Sequence, residues 1–308
     1  MPMQTLVPRR LALRHGLALV VLAQSGCSST GSTSNTSSAP GSSAANSSLG
    51  WRAAPGQALL LGELHDNADL HALRAQGLAA LLAQGDRPAL LMEQFDRAQQ
   101  PALDALQTPG HIPTGSALQA QVDALLALGG PGWHWPFYRP VLQLAVAHGL
   151  PVVAANLSRA DARRVAQLGL AATGWRADVP ADLLQAQTAA IAAGHCGQLD
   201  EPSAARLALA QVARDQAMAQ LLTRHAPRGA VLLAGNGHVR ADIGVPRWLA
   251  AGLRARTRVV GLLEAAPDGG ATASASAYDA VLRGPAQPRP DPCADLQMPV
   301  VPAPSSNP

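Results

Sequence analysis

Short apolar runs that lack polar alternation recur along the chain. They cover residues 57–62, 87–93, 150–156, 229–238 and 258–263. A strand buried on one face alternates apolar and polar residues, whereas a strand buried on both faces does not. Stretches with helical spacing separate these runs. The pattern therefore predicts an α/β fold, in which helices flank a mostly parallel sheet.

Apolar residues spaced three or four positions apart predict the helices. The first is expected at 68–84, and the others at 97–106, 116–128, 141–148, from Ser158 through Leu168, and from Asp200 or Ser203 to about His225. Ser158 and Asp200 are of the residue types that cap helix N-termini. No strand is evident between about residues 160 and 222. We therefore expect a helical subdomain there, beside the sheet.

The start of the chain is typical of an export signal. Residues 1–26 combine a basic beginning, a short apolar core at 16–23 and small residues just before Cys27. This is the pattern of a bacterial lipoprotein signal peptide, which predicts that Cys27 is lipidated and becomes the mature N-terminus. Gln24 departs from the aliphatic residue usual in that motif. Ordinary secretion or an inner-membrane anchor therefore stays an alternative.

Composition divides the rest of the chain into three parts. Residues 27–50 are rich in Ser, Thr, Asn and Gly and predict a flexible tether. The folded α/β domain is expected at 51–284 and a proline-rich tail at 285–308. Ser28, directly after Cys27, favours the outer membrane of the cell envelope over inner-membrane retention.

Charge and residue usage exclude several classes of protein. The chain contains no lysine, which excludes Schiff-base, pyridoxal-phosphate and Walker-type lysine sites. The predicted signal holds three arginines and no acidic residue, so the formal charge of +3 falls to about zero without it. Because no arginine-rich run remains, we expect no nucleic-acid partner.

Polar side chains with coordinating or titratable groups stand where the predicted strands end. They are Glu63 and His65 after the first strand, Glu93 after the second, Asn156 after the third, and Asn236 and His238 after the fourth. Because the carboxyl ends of parallel strands meet at one edge of a sheet, we expect a shared site. The set of Glu63, His65, Glu93 and His238 could also bind zinc or another divalent metal, although no compact ligand motif specifies one.

Several segments together resemble the ChaN-type haem-binding uptake lipoproteins. They are GELHDN at 62–67, LLMEQFDRAQQPALD at 90–104, WHWPFYRPVLQLAVAHGLPVVAANLSR at 133–159, AQVARDQAMA at 210–219 and GNGHVRADIGVPRWL at 235–249. The resemblance implies an α/β fold, membrane attachment through a lipid, and a role in haem or iron acquisition. It also implies distant kinship with Tiki metalloproteases and erythromycin-esterase-like hydrolases. Their motif residues match Gly62, Glu63, His65, Glu93 and His238.

Haem needs an apolar slot, an axial ligand and cations for its propionates. The candidate contacts are Tyr138, Arg139, His65, Asn156, Asn236 and His238, with Tyr278 and His134 as further candidate iron ligands. Tyr138 leads because it lies in an aromatic segment beside Arg139 and tyrosine suits ferric iron. The alternative is a tyrosine at the core edge whose hydroxyl caps a backbone group. Trp133 and Trp135 either stack on a porphyrin or pack the core, and packing is favoured.

The cysteines that remain after lipidation form an even pair. Cys196 and Cys293 both lie in loop-like sequence, and an exported protein meets an oxidising compartment. We hypothesise a disulfide that ties the tail to the helical subdomain. Two separate thiols stay the alternative, because distance in sequence does not decide between them.

The sequence thus predicts a lipid-anchored, haem-binding protein that assists haem or iron uptake without catalysis of its own. The implied partners are haem, the membrane, and an outer-membrane haem receptor or a second copy of the chain. The alternative is a metal-dependent hydrolase in which Glu63 or His65 is the base and His238 a ligand or oxyanion donor. A cell-envelope scaffold that keeps these residues only for packing is a third hypothesis.

Overall fold

A computed structural model describes residues 51–265, 273–291 and 293–294 of the chain. The signal peptide and tether predicted for 1–50, with Cys27, lie outside the described residues. So does the end of the predicted tail, from residue 295 onward. The described helices and strands lie between Ala58 and Gly284.

Six parallel strands form the centre of the fold. In chain order they are β1 (Ala58–Leu61), β2 (Ala89–Asp96), β3 (Val152–Asn156), β4 (Ala230–Leu233), β5 (Thr257–Glu264) and β6 (Ala280–Gly284). They lie in the order β3-β2-β4-β1-β5-β6, and every neighbouring pair is parallel. The predicted fold class is confirmed. β6 has no predicted counterpart, because its residues are mostly only partly buried and form no long apolar run.

Helices fill the connections between the strands. They are α1 (Ala68–Ala83), α2 (Gln100–Ala105), α3 (Gly115–Ala127), α4 (Arg139–Ala147), α5 (Arg159–Ala172), α6 (Ala181–Gly194), α7 (Glu201–His225), α8 (Asn236–Val239) and α9 (Ala251–Arg254). The Ser158 side chain caps α5 by accepting from the Asp161 N–H at 3.0 Å. Asp200, and not Ser203, caps α7, since its carboxylate accepts from the Ser203 N–H at 2.9 Å.

The fourth strand is shorter than predicted. β4 ends at Leu233, and residues 236–239 form the short helix α8 instead of continuing the strand to His238. The apolar run ends in AGNGH, and its two glycines do not favour a strand. The early end places Asn236 and His238 on a turn above the sheet edge.

Two apolar layers cover the sheet, one on each face. In β1, Leu59 and Leu61 belong to the layer that also contains residues of α1, α3 and α4. Leu60 belongs to the opposite layer, which contains Met218 and Leu222 of α7. Both faces of β1 are therefore buried. This explains why its sequence shows no alternation of apolar and polar residues.

The segment between β3 and β4 is entirely helical among its regular elements. α5, α6 and α7 follow one another there, and Val165, Leu170 and Val212 are part of a small separate core. Within the described residues, no helix has both the length and the apolar character that crossing a membrane requires.

A disulfide and the ion pairs of Arg289 are among the contacts that hold the start of the tail against the domain. The structure pairs Cys196, just after α6, with Cys293 in a disulfide whose Cα atoms lie 5.7 Å apart. Arg289 forms ion pairs with Asp66 and with Glu264, the latter at 2.7 Å. The hydrogen bond from Arg289 lowers the pKa of Glu264 to about 2. The tail therefore borders the sheet edge where β1 and β5 end.

Candidate functional site

The sheet order brings the predicted polar residues to one edge. β1 lies between β4 and β5, and β2 lies beside β4. Glu63 and His65 follow β1, Glu93 lies in the last part of β2, and His238 lies on α8 after β4. The carboxyl ends of β1, β2 and β4 meet in a region that we call the strand-end site. It consists of Glu63, His65, Glu93, His238 and their direct partners.

Glu63 is the most heavily bonded member of this site. Its side chain is buried, and Oε1 accepts from His65 Nδ1 at 2.6 Å, from the Tyr138 hydroxyl at 2.7 Å and from Gln94 Nε2 at 3.1 Å. Oε2 forms an ion pair with the guanidinium of Arg74. Four donors, of which Arg74 also carries the opposite charge, compensate a carboxylate that burial would otherwise destabilise.

Arg74 comes from α1 and is fully buried. Burial lowers its pKa to about 10, which leaves the guanidinium charged at neutral pH. A guanidinium only donates, so Nδ1 of His71 accepts its bond at 3.0 Å. The other ring nitrogen of His71 then donates to the His65 carbonyl at 3.3 Å. Burial lowers the pKa of His71 to about 4, so the ring is neutral.

Arg74 and His71 were not among the site residues predicted from the sequence. Both lie on the face of α1 that carries Leu70 and Leu78, and both are buried there. A polar residue four positions from each of two core leucines must be buried with them. The spacing therefore indicates from the sequence that Arg74 is buried. A buried arginine in turn requires a buried anion, such as the carboxylate of Glu63.

A second group of charges is built around His238. Its Nδ1 lies 2.6 Å from Asp215 Oδ1 on α7, and its Nε2 lies 3.5 Å from Glu93 Oε1. The other oxygen of Asp215 accepts from Gln187 Nε2 at 3.1 Å. Glu93 Oε2 accepts from the N–H of Gly235 at 2.7 Å. Gln187, on the buried face of α6, is a further residue that sequence analysis did not identify.

The environment charges His238. Burial alone would lower the pKa of His238, but the charges of Glu93 and Asp215 outweigh it and raise the pKa to about 9. Burial raises the pKa of Asp215 to about 6, although the charge of His238 opposes that shift. At neutral pH His238 is therefore an imidazolium between two carboxylates. In this state neither ring nitrogen has a lone pair for a metal.

His65 is the open member of the strand-end site. Its side chain is 51% exposed, and its ring meets the indole of Trp133 edge-on at 4.8 Å. Because a carboxylate only accepts, the bond to Glu63 places the proton on Nδ1. Nε2 has no hydrogen-bond partner among the described residues. Burial lowers the pKa of His65, so the ring is neutral and Nε2 keeps its lone pair at neutral pH.

Gly235 leaves room beside that nitrogen. A Cβ placed on Gly235 would lie 3.2 Å from Nε2 of His65 and 3.7 Å from Oε2 of Glu93. The φ angle of Gly235 is −54°, which any residue can adopt. The backbone therefore does not require glycine here. The missing side chain instead keeps the space in front of Nε2 open.

Tyr138 occupies a different position from the one that an iron ligand needs. It is completely buried, its hydroxyl donates to Glu63, and burial raises its pKa. A tyrosinate bound to iron would have to leave both the core and Glu63. The predicted alternative, a tyrosine at the edge of the core, fits this geometry better, with a carboxylate in place of a backbone acceptor.

Other predicted contacts lie outside the strand-end site or support it. Arg139 is directed to the surface and pairs with Asp123 at 2.6 Å. Asn236 bonds to the backbone of Leu262 through both side-chain atoms, at 2.6 and 3.1 Å. A Cβ on Gly62 would lie 2.1 Å from Oδ1 of Asn236, so this close approach requires glycine. Asn236 therefore has a structural role.

The aromatic side chains of residues 133–138 mainly pack within the fold or against it. Trp135 stacks against Phe95 at 5.0 Å and donates to the Gly130 carbonyl at 2.9 Å. His134 is exposed and lies against Phe137 at 4.3 Å. Tyr278 donates to the carbonyl of Asn236 at 3.2 Å. Of this segment, Trp133 is the residue whose ring touches His65.

The predicted metal site is not supported. Among the described residues, no three His, Cys, Asp or Glu side chains are arranged to hold a metal ion. The physical reason is that the partners are already engaged. Glu63 is bonded to Arg74 and Tyr138, and His238 is bonded to Asp215.

Three buried polar atoms near the strand-end site lack a hydrogen-bond partner. Gln94 Oε1, Asn156 Oδ1 and Arg214 Nε are buried and make no hydrogen bond. Gln94 and Asn156 stand at strand ends, and the charge of Arg214 acts on both His238 and Asp215. Buried polar atoms are normally paired with protein, water or a ligand. These three are therefore suited to a polar ligand or to ordered water at the strand-end site.

Comparison with known proteins gives one family. The profile of the family described as haem-binding uptake, Tiki superfamily, ChaN matches residues 51–249. No curated protein matches the chain.

The solved structures that match the chain include three proteins. The structure described as cofacial heme binding to ChaN of Campylobacter jejuni has a TM-score of 0.51 and 21% identity, over 68% of this chain and 81% of that one. The type III effector HopBA1 has a TM-score of 0.41 and 14% identity, over 75% of this chain and 88% of that one. A mutant of the erythromycin esterase EreC in its open conformation has a TM-score of 0.38 and 13% identity, over 68% of this chain and 71% of that one. At 21% identity, the likeness to the ChaN structure bears on the fold alone.

The ion pair between Arg74 and Glu63 gives a stability prediction. Arg74→Met should destabilise the fold by about 3–5 kcal/mol, because it leaves a buried carboxylate without its counter-charge. Adding Glu63→Gln removes that charge and should recover most of the loss. Urea unfolding measures both variants, with the exposed Arg206→Met as the control. A loss below about 1 kcal/mol for Arg74→Met, or no recovery in the double variant, would contradict this account.

Proposed function

Because the chain belongs to the ChaN-type haem-binding uptake family of the Tiki superfamily, we propose that it binds haem at the strand-end site. We further propose that binding serves haem or iron uptake at the bacterial cell envelope. The observation that carries this proposal is His65, a neutral and half-exposed imidazole whose Nε2 is open and whose Nδ1 is bonded to a carboxylate.

His65 is suited to hold the iron of haem. Histidine is a common axial ligand, and the ligating nitrogen must carry a lone pair. A bond from the other ring nitrogen to a carboxylate fixes the ring orientation and raises the basicity of the ligand. Glu63 provides that bond at 2.6 Å and is itself held by Arg74 and Tyr138. In this proposal Tyr138 positions the ligand and does not bind iron.

Groups suited to the rest of haem also lie at the strand ends. Trp133 offers an aromatic surface beside His65. A cavity of about 360 Å³ at the ends of β2 and β3 is lined by Trp175, by two arginines, Arg97 and Arg164, and by one acidic residue, Asp161. Neither arginine forms an ion pair within the described part of the chain, and Arg97 lies over the Trp175 ring at 6.0 Å. Free guanidinium groups beside an aromatic ring suit propionates.

A haem titration tests the proposal. His65→Ala should weaken ferric haem binding by at least about 10–100-fold. Mutation of a residue that only hydrogen-bonds to a metal-bound histidine typically causes a loss of this size. Gly235→Ala should weaken it too, because the added Cβ would crowd Nε2. Absorbance in the Soret region measures both. His134→Ala removes another exposed histidine, next to Trp133 in sequence; it is the matched control and should bind normally.

The pH dependence follows from the ionisation of His65. Only the neutral ring binds iron, and the pKa of His65 is lowered from 6.5. The affinity for haem should therefore stay level down to about pH 6.5 and decrease below that pH as the ring gains a proton.

An unchanged Soret spectrum in His65→Ala with a lost spectrum in Tyr138→Phe would place the iron on Tyr138 instead.

We also propose that Cys27 anchors the protein to a membrane, with the outer membrane favoured by Ser28. The support is the signal-like sequence of 1–26 and the uptake role of the family. An outer-membrane haem receptor or a second copy of the chain would then be the partner that exchanges haem. Cys27→Ser should release the protein into the soluble periplasmic fraction. Unchanged partitioning with the membrane fraction would contradict lipidation at Cys27.

A hydrolase is the second candidate function. The observation that favours it is the chain from Asp215 through His238 to Glu93, an arrangement that can orient a proton-transferring histidine. His238 is, however, charged at neutral pH and its side chain is only 13% exposed, so it is poorly placed as a base. Ester hydrolysis that disappears in His238→Gln would favour this function over haem transport.

A further inference from the structure

A cavity of about 670 Å³ lies far from the strand-end site, at the opposite end of β3. It follows the free edge of the sheet, because β3 is an outermost strand. The C-terminal ends of α4 and α7 and the loop after α2 complete its walls. Its volume is in the range of small-molecule sites in proteins.

One part of the cavity wall is apolar. Val146, Leu150, Val153 and Leu221 belong to it and are themselves buried. Ile112 also lines the cavity and is 49% exposed. An isoleucine left half in water beside buried apolar residues provides a surface for the apolar part of a ligand.

The other part of the wall is cationic. Arg224 and Arg228 line it, and Asp104 is the one acidic residue among the lining residues. Arg224 forms no hydrogen bond or ion pair within the described residues, whereas Arg228 donates to the Arg87 carbonyl at 3.2 Å. Asp104 already accepts from Gln100 at 2.8 Å. The cavity therefore has an uncompensated positive charge.

Histidines add neutral donors and acceptors beside the arginines. His111, His148 and His225 line the same cavity. Burial lowers the pKa of His148 and of His225, with nearby arginines acting in the same direction. At neutral pH these two rings are uncharged, so the charge of the cavity comes from its arginines.

A peptide strand would not pair with this edge of the sheet. The outward N–H groups of Val152 and Ala154 donate to the side-chain oxygens of Gln107 and Gln100, at 2.6 and 2.7 Å. Gln107 also donates to the Val152 carbonyl at 3.2 Å. Two glutamine side chains thus occupy the backbone groups that an added strand would need. A small molecule fits the cavity better than an extended peptide does.

We propose that this cavity is a second ligand site, which binds an apolar molecule carrying one or more carboxylates. Its apolar wall would contact the body of the ligand, and Arg224 and Arg228 would bind the carboxylates. Both tetrapyrroles and fatty acids have this chemistry. The inference does not depend on haem binding at the strand-end site, because the two sites share no residue.

Binding to the purified chain tests the proposal with three probes: ferric haem, iron-free protoporphyrin and laurate. Absorbance follows the porphyrins and titration calorimetry follows laurate, all in a His65→Ala background that removes the proposed iron ligand of the strand-end site. Arg224→Glu and Ile112→Asp change exposed residues of the cavity. Arg206→Glu on the same helix and Leu168→Asp, the second exposed large apolar residue within the described part of the chain, are their matched controls.

At least one probe should bind, and both cavity variants should weaken it tenfold or more while the controls stay within twofold. Binding of both porphyrins and not of laurate would identify a tetrapyrrole site, and the reverse a fatty-acid site. Binding of ferric haem alone would assign the iron to a cavity histidine. The proposal is overturned if no probe binds, or if Arg224→Glu and Ile112→Asp bind as well as their controls. Neither result affects haem binding by the wild-type strand-end site.

Discussion

The buried carboxylate of Glu63 is the group on which the strand-end site depends. A charge at the end of a central strand, beneath a helix, is costly unless donors and an opposite charge surround it. Arg74 supplies the charge from α1, and Tyr138 supplies a hydroxyl from the aromatic segment. Glu63 thereby ties three parts of the chain together. The oxygen that accepts from Tyr138 also fixes the orientation of His65.

Two histidines at one sheet edge, His238 and His65, differ in protonation state for identifiable reasons. His238 lies between two carboxylates and is protonated, whereas His65 has one carboxylate on Nδ1 and stays neutral. Burial lowers the pKa of His65, and the positive charge of His238 acts in the same direction, so that His65 stays neutral. This difference gives the edge one fixed cation and one free imidazole nitrogen. The free nitrogen is the group with which we connect haem binding.

Much of the fold could be predicted from sequence, because strands buried on both faces produce continuous apolar runs. The position of Glu63, His65 and Glu93 followed from the ends of those runs. The partners could not be predicted in the same way, because Arg74 lies 11 residues away from Glu63 and Tyr138 lies 75 away. Only the three-dimensional packing shows that the hydroxyl of Tyr138 is directed inward. β6 was missed for a related reason, since an edge strand that is half exposed lacks an apolar run.

The central claim is that Glu63 holds the proton of His65 on Nδ1 and leaves Nε2 free. Nitrogen NMR of the chain with ¹⁵N-labelled histidine measures this directly, with His65→Gln used to assign the signals. At neutral pH the account predicts that His65 has a protonated Nδ1 and an Nε2 with the chemical shift of an unprotonated ring nitrogen. A proton on Nε2, or a doubly protonated ring at that pH, would contradict it.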